Sequence, residues 1–469
     1  MNNPESLLKT MNYRVNSASR APAVLRLYAA LIIIACCLGI TLPASGQKLD
    51  IEKEKIIRSG RADGRHVSTR GFLQHLLRTS KPKLAFNPEF TSEEFEEWQL
   101  EVRAKMFELM NFPEPTPQPA PRKLWAKDRD GYVLEKWELY PEPGSVVPFL
   151  LLVPNGATTD KPAPAVMCFS GSSGTKENLA GEPPLHPSFK RDGGTDDGYT
   201  HSERNRQALQ FVKAGLVAVA VDHPGNGELS DLAKYRRTTM DDRNTLARYL
   251  IDFGRDYISL SVFQKRKILA WLRKRPYVDA DRVAISGHSL GTEPLLVMAV
   301  LDPNIQAIVW NDFLCPNIER TKVSTKPSAS GIRPRANWLG HCVPGMWKWF
   351  DYPDLVAAFA PRPLILTEGG PEHSLDLVRK AYATAGAPNK VSVHHYPKFA
   401  NPNARLDGKP IPEGLGNEGW YQYANVDVPK HYFKGYLAVP WLAEQFKLPA
   451  PKQIYPPAPP EARKTNTVR

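Results

Sequence analysis

Between Tyr132 and His395 short apolar runs alternate with helical stretches, and this alternation narrows the folds open to the chain more than any other feature. Strands are expected at Tyr132 to Tyr140, Pro148 to Val153, Ala165 to Phe169, Val217 to Val221, Val283 to Ile285, Ile305 to Trp310, Leu364 to Thr367 and Val391 to His395. Several are unbroken apolar runs, the pattern of parallel strands covered on both faces. Helices are expected between them, around Arg204 to Lys213, Ser259 to Lys274 and Pro294 to Leu301. The expected class is α/β: a mostly parallel eight-stranded sheet wrapped by helices, its first two strands an antiparallel edge hairpin. In such sheets ligands bind at the carboxyl ends of the strands.

The ends of the chain read differently. Lys9, Arg14, Arg20 and Arg26 precede the apolar run Leu27 to Leu42, and Ala44-Ser45-Gly46 follow, so residues 1–46 read as a secretory signal. The run is about 16 residues, short for a bilayer span. The protein is therefore expected to be secreted or periplasmic, without a membrane span. A start at Met11, and a lipid anchor at Cys36 within Ile33-Ile34-Ala35-Cys36, stay open. Residues 47–124 form an N-terminal extension, in which Thr91 and Glu94 make a capping box for an amphipathic helix over 91–112 with Phe95, Trp98, Val102, Met106 and Leu109 on one face. A catalytic domain over 125–447 and a proline-rich tail over 448–469 follow. With 42% hydrophobic and 23% charged residues, a mostly unfolded chain is excluded. The net charge of +12 is dispersed, without the clustered signature of nucleic-acid binding. Cys168, Cys315 and Cys342 offer no C-x-x-C pair, which argues against a zinc or redox site; Cys315 and Cys342 are either disulfide-linked or buried thiols.

Chemistry is concentrated at Gly287-His288-Ser289-Leu290-Gly291, a G-x-S-x-G pentapeptide. A strand reading Asp281 to Ser286 enters it and a buried helix over Pro294 to Val300 leaves it, the context of a sharp strand-to-helix turn that projects a serine hydroxyl above a sheet. Asp222-His223-Pro224-Gly225-Asn226-Gly227-Glu228-Leu229-Ser230 follows the expected fourth strand, and Ala357-Ala358-Phe359-Ala360-Pro361-Arg362-Pro363 leads into the seventh. On these three segments residues 125–447 resemble the α/β-hydrolase superfamily, and within it the dienelactone hydrolase-like and acetyl xylan esterase-like branches.

The resemblance implies a nucleophile, Ser289, followed in chain order by an acid and a histidine. Glu372 matches the family's acid loop in spacing, with Glu368 and Asp312 as rivals. The family's histidine, a few residues after the eighth strand, is absent from Tyr396 to Asn403; His431, before a segment resembling the closing helix, is expected to replace it across an inserted loop. The implied oxyanion donors are the backbone N–H of Leu290 and of Ser172 or Gly171 in Ser170-Gly171-Ser172-Ser173-Gly174. The basic, tryptophan-bearing segment 318–350 and the insertion place Trp338, Trp347, Arg335 and Trp420 as candidate contacts for a sugar or an acidic group. The expected activity is a serine carboxylic-ester hydrolase acting on acetyl or other esters of carbohydrate, with a polysaccharide among its partners and no metal or organic cofactor. A serine peptidase of the same superfamily and an inactive polysaccharide-binding protein are the alternatives.

Overall fold

In the computed structural model, residues 59, 61–183, 198–230, 240–323, 326–328, 331–333, 339–409, 411–412 and 415–465 are described. The main sheet is built from β1 (Arg122–Arg129), β2 (Tyr132–Leu139), β3 (Val147–Pro154), β4 (Ala163–Phe169), β5 (Val217–Val221), β6 (Val278–His288), β7 (Ala307–Asn311), β8 (Leu364–Leu366) and β9 (Val391–Val393). Their spatial order is β1-β2-β3-β5-β4-β6-β7-β8-β9. The sheet thus has nine strands rather than eight. The additional strand is β1, whose sequence RKLWAKDR carries charge on both faces and lies largely open to solvent; neither an apolar run nor a clean alternation marks it. It pairs antiparallel with β2, which pairs antiparallel with β3, and β3 with β5, so the antiparallel edge is larger than a hairpin. From β5 onward every neighbour is parallel.

Alternate residues of the strands feed two cores. Phe149, Leu151, Val217, Val219, Val221, Met167 and Ile285 face one, with the helices Tyr257–Leu272 and Thr292–Leu301. Leu150, Leu152, Ala218, Ala220, Val166 and Ala284 face the other, with Gln207–Lys213 and Gly435–Gln445. Strands covered on both sides have no solvent face, which accounts for the unbroken apolar runs.

The helix expected over 91–112 spans Ser92–Met110 and begins with the Thr91/Glu94 capping box. Its buried face is Phe95, Trp98, Val102, Met106 and Met110, with Leu109 only partly covered. That face belongs to the first core. Arg103 Nε donates to Val300 O at 3.1 Å, and Gln99 Nε2 donates to Ala358 O at 2.9 Å and Ala360 O at 2.6 Å. The extension is therefore packed onto the helix that follows the G-x-S-x-G turn. No disulfide joins Cys315 to Cys342. Among the described residues no helix is long and apolar enough to cross a membrane.

Because Met106 is fully buried in this core, Met106→Ala is expected to destabilise the fold by about 2–5 kcal/mol. Leu100→Ala, on the exposed face of the same helix, should change it by less than about 0.5 kcal/mol. Denaturant midpoints of the two variants check this; equal shifts would show that the helix is not part of the cooperative core.

Candidate active site

The turn after β6 is built by close approach. Ser289 sits at φ 51°, in the left-handed region that non-glycine residues rarely enter. A Cβ on Gly287 would stand 2.5 Å from Gly291 O, and one on Gly291 would stand 2.4 Å from Phe169 O. Both positions exclude a side chain, so the chain can fold back tightly and start the helix Thr292–Leu301 directly behind the serine. Thr292 Oγ1 donates to Ser289 O at 2.7 Å and closes the turn.

The Ser170–Gly174 loop follows β4 and lies against this turn. A Cβ on Gly171 would come within 3.3 Å of Ser289 Cβ and 3.1 Å of His288 Cδ2. Its carbonyls are held from behind: His223 Nε2 lies 2.7 Å from Ser170 O, Asn226 Nδ2 donates to Ser172 O and Gly174 O at 3.3 Å each, and Arg243 Nη2 donates to Ser172 O. The Asp222–Ser230 segment thus serves to brace the loop that the sequence assigns to oxyanion binding. Burial, with Lys265 and Arg243 adding to it, holds the His223 imidazole well below its ordinary range, so it stays neutral.

His431 reaches the same end of the sheet. Its ring centroid is 4.8 Å from that of His288, the residue immediately before Ser289. Its Nδ1 is 2.7 Å from Glu368 Oε2. Glu368 follows β8 by two residues and is fully buried. Its carboxylate is surrounded by donors: Tyr396 OH at 2.6 Å and His431 on Oε2, Asn311 Nδ2 at 3.2 Å and Lys434 Nζ on Oε1. Burial opposes its ionisation, but His431, Lys434 and these hydrogen bonds outweigh burial and hold the carboxyl far below the usual range. For His431 burial works against the imidazolium, and Glu368 overcomes it, so the ring titrates above its ordinary value.

The carboxylate that the structure brings to His431 is therefore Glu368 and not Glu372. Glu372 opens the helix Glu372–Thr384, is 38% exposed at the side chain, and pairs with Arg379 and with Arg405 Nη1 at 2.9 Å. The spacing that favoured it took the loop to end in the acid; β8 is short, and Glu368, two residues beyond it, already meets His431. Asp312 accepts Phe313 N–H at 2.8 Å and is pushed up to about 6 by burial, acting on His431 through its charge.

The candidate substrate contacts fare differently. Trp420 is fully buried with Cys315, Val323, Tyr396, Phe399, Tyr423 and Val426 in a small third core that fills the insertion before His431. It cannot present its ring to a ligand in this conformation. Trp347 packs against the first core. Trp338 and Arg335 lie outside the described residues. Sequence reasoning missed Asn311, Tyr396 and Lys434. Asn311 could have been found as the last residue of β7, at the carboxyl edge beside His288; Lys434 carried no signal.

His288, Glu368 and His431 place one donor atom each within 4.8 Å of one another, the spacing of a metal site. The donors are engaged otherwise. His288 Nδ1 lies 3.0 Å from Asn311 Nδ2, His431 Nδ1 is on Glu368, and the Lys434 ammonium already supplies a cation to the carboxylate. These residues fit a proton-transfer chain better than a metal centre.

A strained serine, a carboxylate-bound histidine whose ring meets that of the residue before the serine, and a braced glycine-serine loop resemble an α/β-hydrolase constellation on the corresponding sheet. The Abhydrolase family matches over residues 48–444. The chain belongs to the Abhydrolase family. A solved structure of a Bacteroides fragilis protein, provisionally assigned as an acetyl xylan esterase, is 43% identical and superposes with a TM-score of 0.77, over 84% of this chain and 99% of that one. A Solibacter usitatus glucuronoyl esterase (13% identity, 74% of this chain and 97% of that one, TM-score 0.43) and a Paenibacillus sp. R4 acetyl xylan esterase (17%, 68% and 92%, TM-score 0.40) are more remote, and at that distance neither bears on function. No curated protein matches.

Labelling of Ser289 by a fluorophosphonate reads the nucleophile's activation without a natural substrate. Glu368→Gln is expected to slow it by about 10²- to 10⁴-fold, and Glu372→Gln to leave it within about twofold. The reverse ranking would restore Glu372 as the acid.

Proposed function

We propose that the protein is a serine carboxylic-ester hydrolase that works through an acyl-enzyme. The observation that carries this reading is the pairing of His431 with the buried Glu368 carboxylate, its ring 4.8 Å from that of His288, which immediately precedes a serine held at positive φ. In the proposed cycle Ser289 Oγ attacks the ester carbonyl while His431 Nε2 takes the hydroxyl proton. The Leu290 N–H and an N–H of Gly171 or Ser172 receive the charge that develops on the carbonyl oxygen. The tetrahedral species collapses, the alkoxide leaves with the proton from His431, and an acyl-Ser289 ester remains. Water then attacks, His431 takes its proton, and Ser289 is released with the carboxylic acid. Glu368 holds the ring in one tautomer and stabilises the imidazolium at both stages.

Carbohydrate acetyl esters are the proposed substrates. The support is the 43% identity to the Bacteroides fragilis protein assigned as an acetyl xylan esterase, over nearly all of that chain. The basic run ahead of Leu27 to Leu42 supports export from the cell, where such polymers are met.

With p-nitrophenyl acetate as substrate, Ser289→Ala and His431→Ala are each expected to lower kcat by about 10³-fold or more, while a peptide anilide is not cleaved. Release of acetate from acetylated xylan, followed for the same proteins, checks the polymer. Full turnover by His431→Ala would remove the proposed base; anilide cleavage would favour a peptidase.

A further inference from the structure

Lys434 is 1% exposed, yet carries an ammonium into the site. All three of its protons are used: one on Glu368 Oε1, one on Lys430 O at 2.7 Å and one on Tyr432 O at 2.7 Å. The last two carbonyls flank His431 in the chain. Lys434 N–H donates to Asn311 Oδ1 at 2.7 Å, and Asn311 Nδ2 reaches Tyr432 O at 3.1 Å and Glu368 Oε1 at 3.2 Å. The ammonium also lies 4.3 Å from the Tyr432 ring centroid and 4.9 Å from that of Tyr396. The carboxylate that pairs with His431 is therefore shared: one oxygen faces the imidazole, the other the Lys434 ammonium. A hydrogen-bond donor alone could hold the carboxylate, as Asn311 and Tyr396 do. A second charge is needed only if charge matters.

We infer that Lys434 is a positioning residue that sets the working pH of the Ser289–His431 pair, by taking up part of the Glu368 charge and so holding back the imidazolium. This rests on the ester-hydrolase reading above. The groups that face His431 are Glu368 after β8, Asp312 after β7, His288 at the end of β6, Tyr396 after β9 and Lys434 on its own segment; Arg204 adds positive charge behind Lys434. Glu368 and Asp312 favour the protonated ring, and Lys434 opposes it. A like charge across the shared carboxylate disfavours the imidazolium, and the ammonium is fixed there by the carbonyls on either side of His431. With Lys434 in place the base stays neutral to lower pH than it would beside Glu368 and Asp312 alone.

The rate of Ser289 labelling by a fluorophosphonate, measured against pH, reads the protonation of His431. In Lys434→Met and Lys434→Gln the pH of half-maximal rate is expected to rise by about 1 unit, whereas Lys434→Arg, which keeps the charge, leaves it within a few tenths. Gln still donates a hydrogen bond, so a shift in both neutral variants assigns the effect to charge. An unmoved midpoint in folded Lys434→Met or Lys434→Gln overturns the inference while leaving the ester-hydrolase reading intact. Loss of the fold in both neutral variants, with Lys434→Arg folded, makes Lys434 a structural residue and overturns it too. A wild-type protein whose Ser289 is not labelled at any pH takes down both readings.

Discussion

A carboxylate without water must be surrounded by donors, and much of the site is organised by meeting that demand at Glu368. Four donors come from three places: Asn311 at the end of β7, Tyr396 after β9, and His431 and Lys434 from the segment before the closing helix. The three belong to different stretches of chain, so satisfying one buried acid brings those stretches to one point. The same requirement that fixes the fold locally thus fixes the geometry of the candidate base.

The histidine arrives late because a third core intervenes. The chain leaves β9, lays down Tyr396 and Phe399, and packs them with Trp420, Tyr423 and Val426 before delivering His431. Tyr396 belongs to both structures: its ring is part of this small core and its hydroxyl is on Glu368. The insertion is therefore tied to the site through a side chain that both packs and donates. Its aromatics, which look in sequence like a surface for sugars, are used to bury one another.

Much of the fold was legible because strands covered on both faces have no choice but to be apolar, and eight of the nine strands carry that signature or a clear alternation. β1 does not, since an edge strand rich in Lys, Arg and Asp reads as a loop until its pairing with β2 is seen. The serine was legible for a steric reason: two glycines four apart, each excluding a Cβ, belong to one kind of turn. His431 was found from the helix that follows it rather than from anything about itself. The carboxylate that meets His431 lies four residues before the one the loop spacing favoured, because spacing cannot say which of two glutamates points inward once the strand before them is short. Lys434 was invisible, since a buried lysine looks in sequence like any surface lysine.

The helix Ser92–Met110 buries its apolar face against Thr292–Leu301 and the segment around Ala358, nearly two hundred residues and more further along. A chain emerging amino end first exposes Phe95, Trp98, Val102, Met106 and Met110 well before anything exists to cover them. Such a surface invites aggregation while synthesis is under way. That face is complete only once the chain has been made as far as the segment around Ala358.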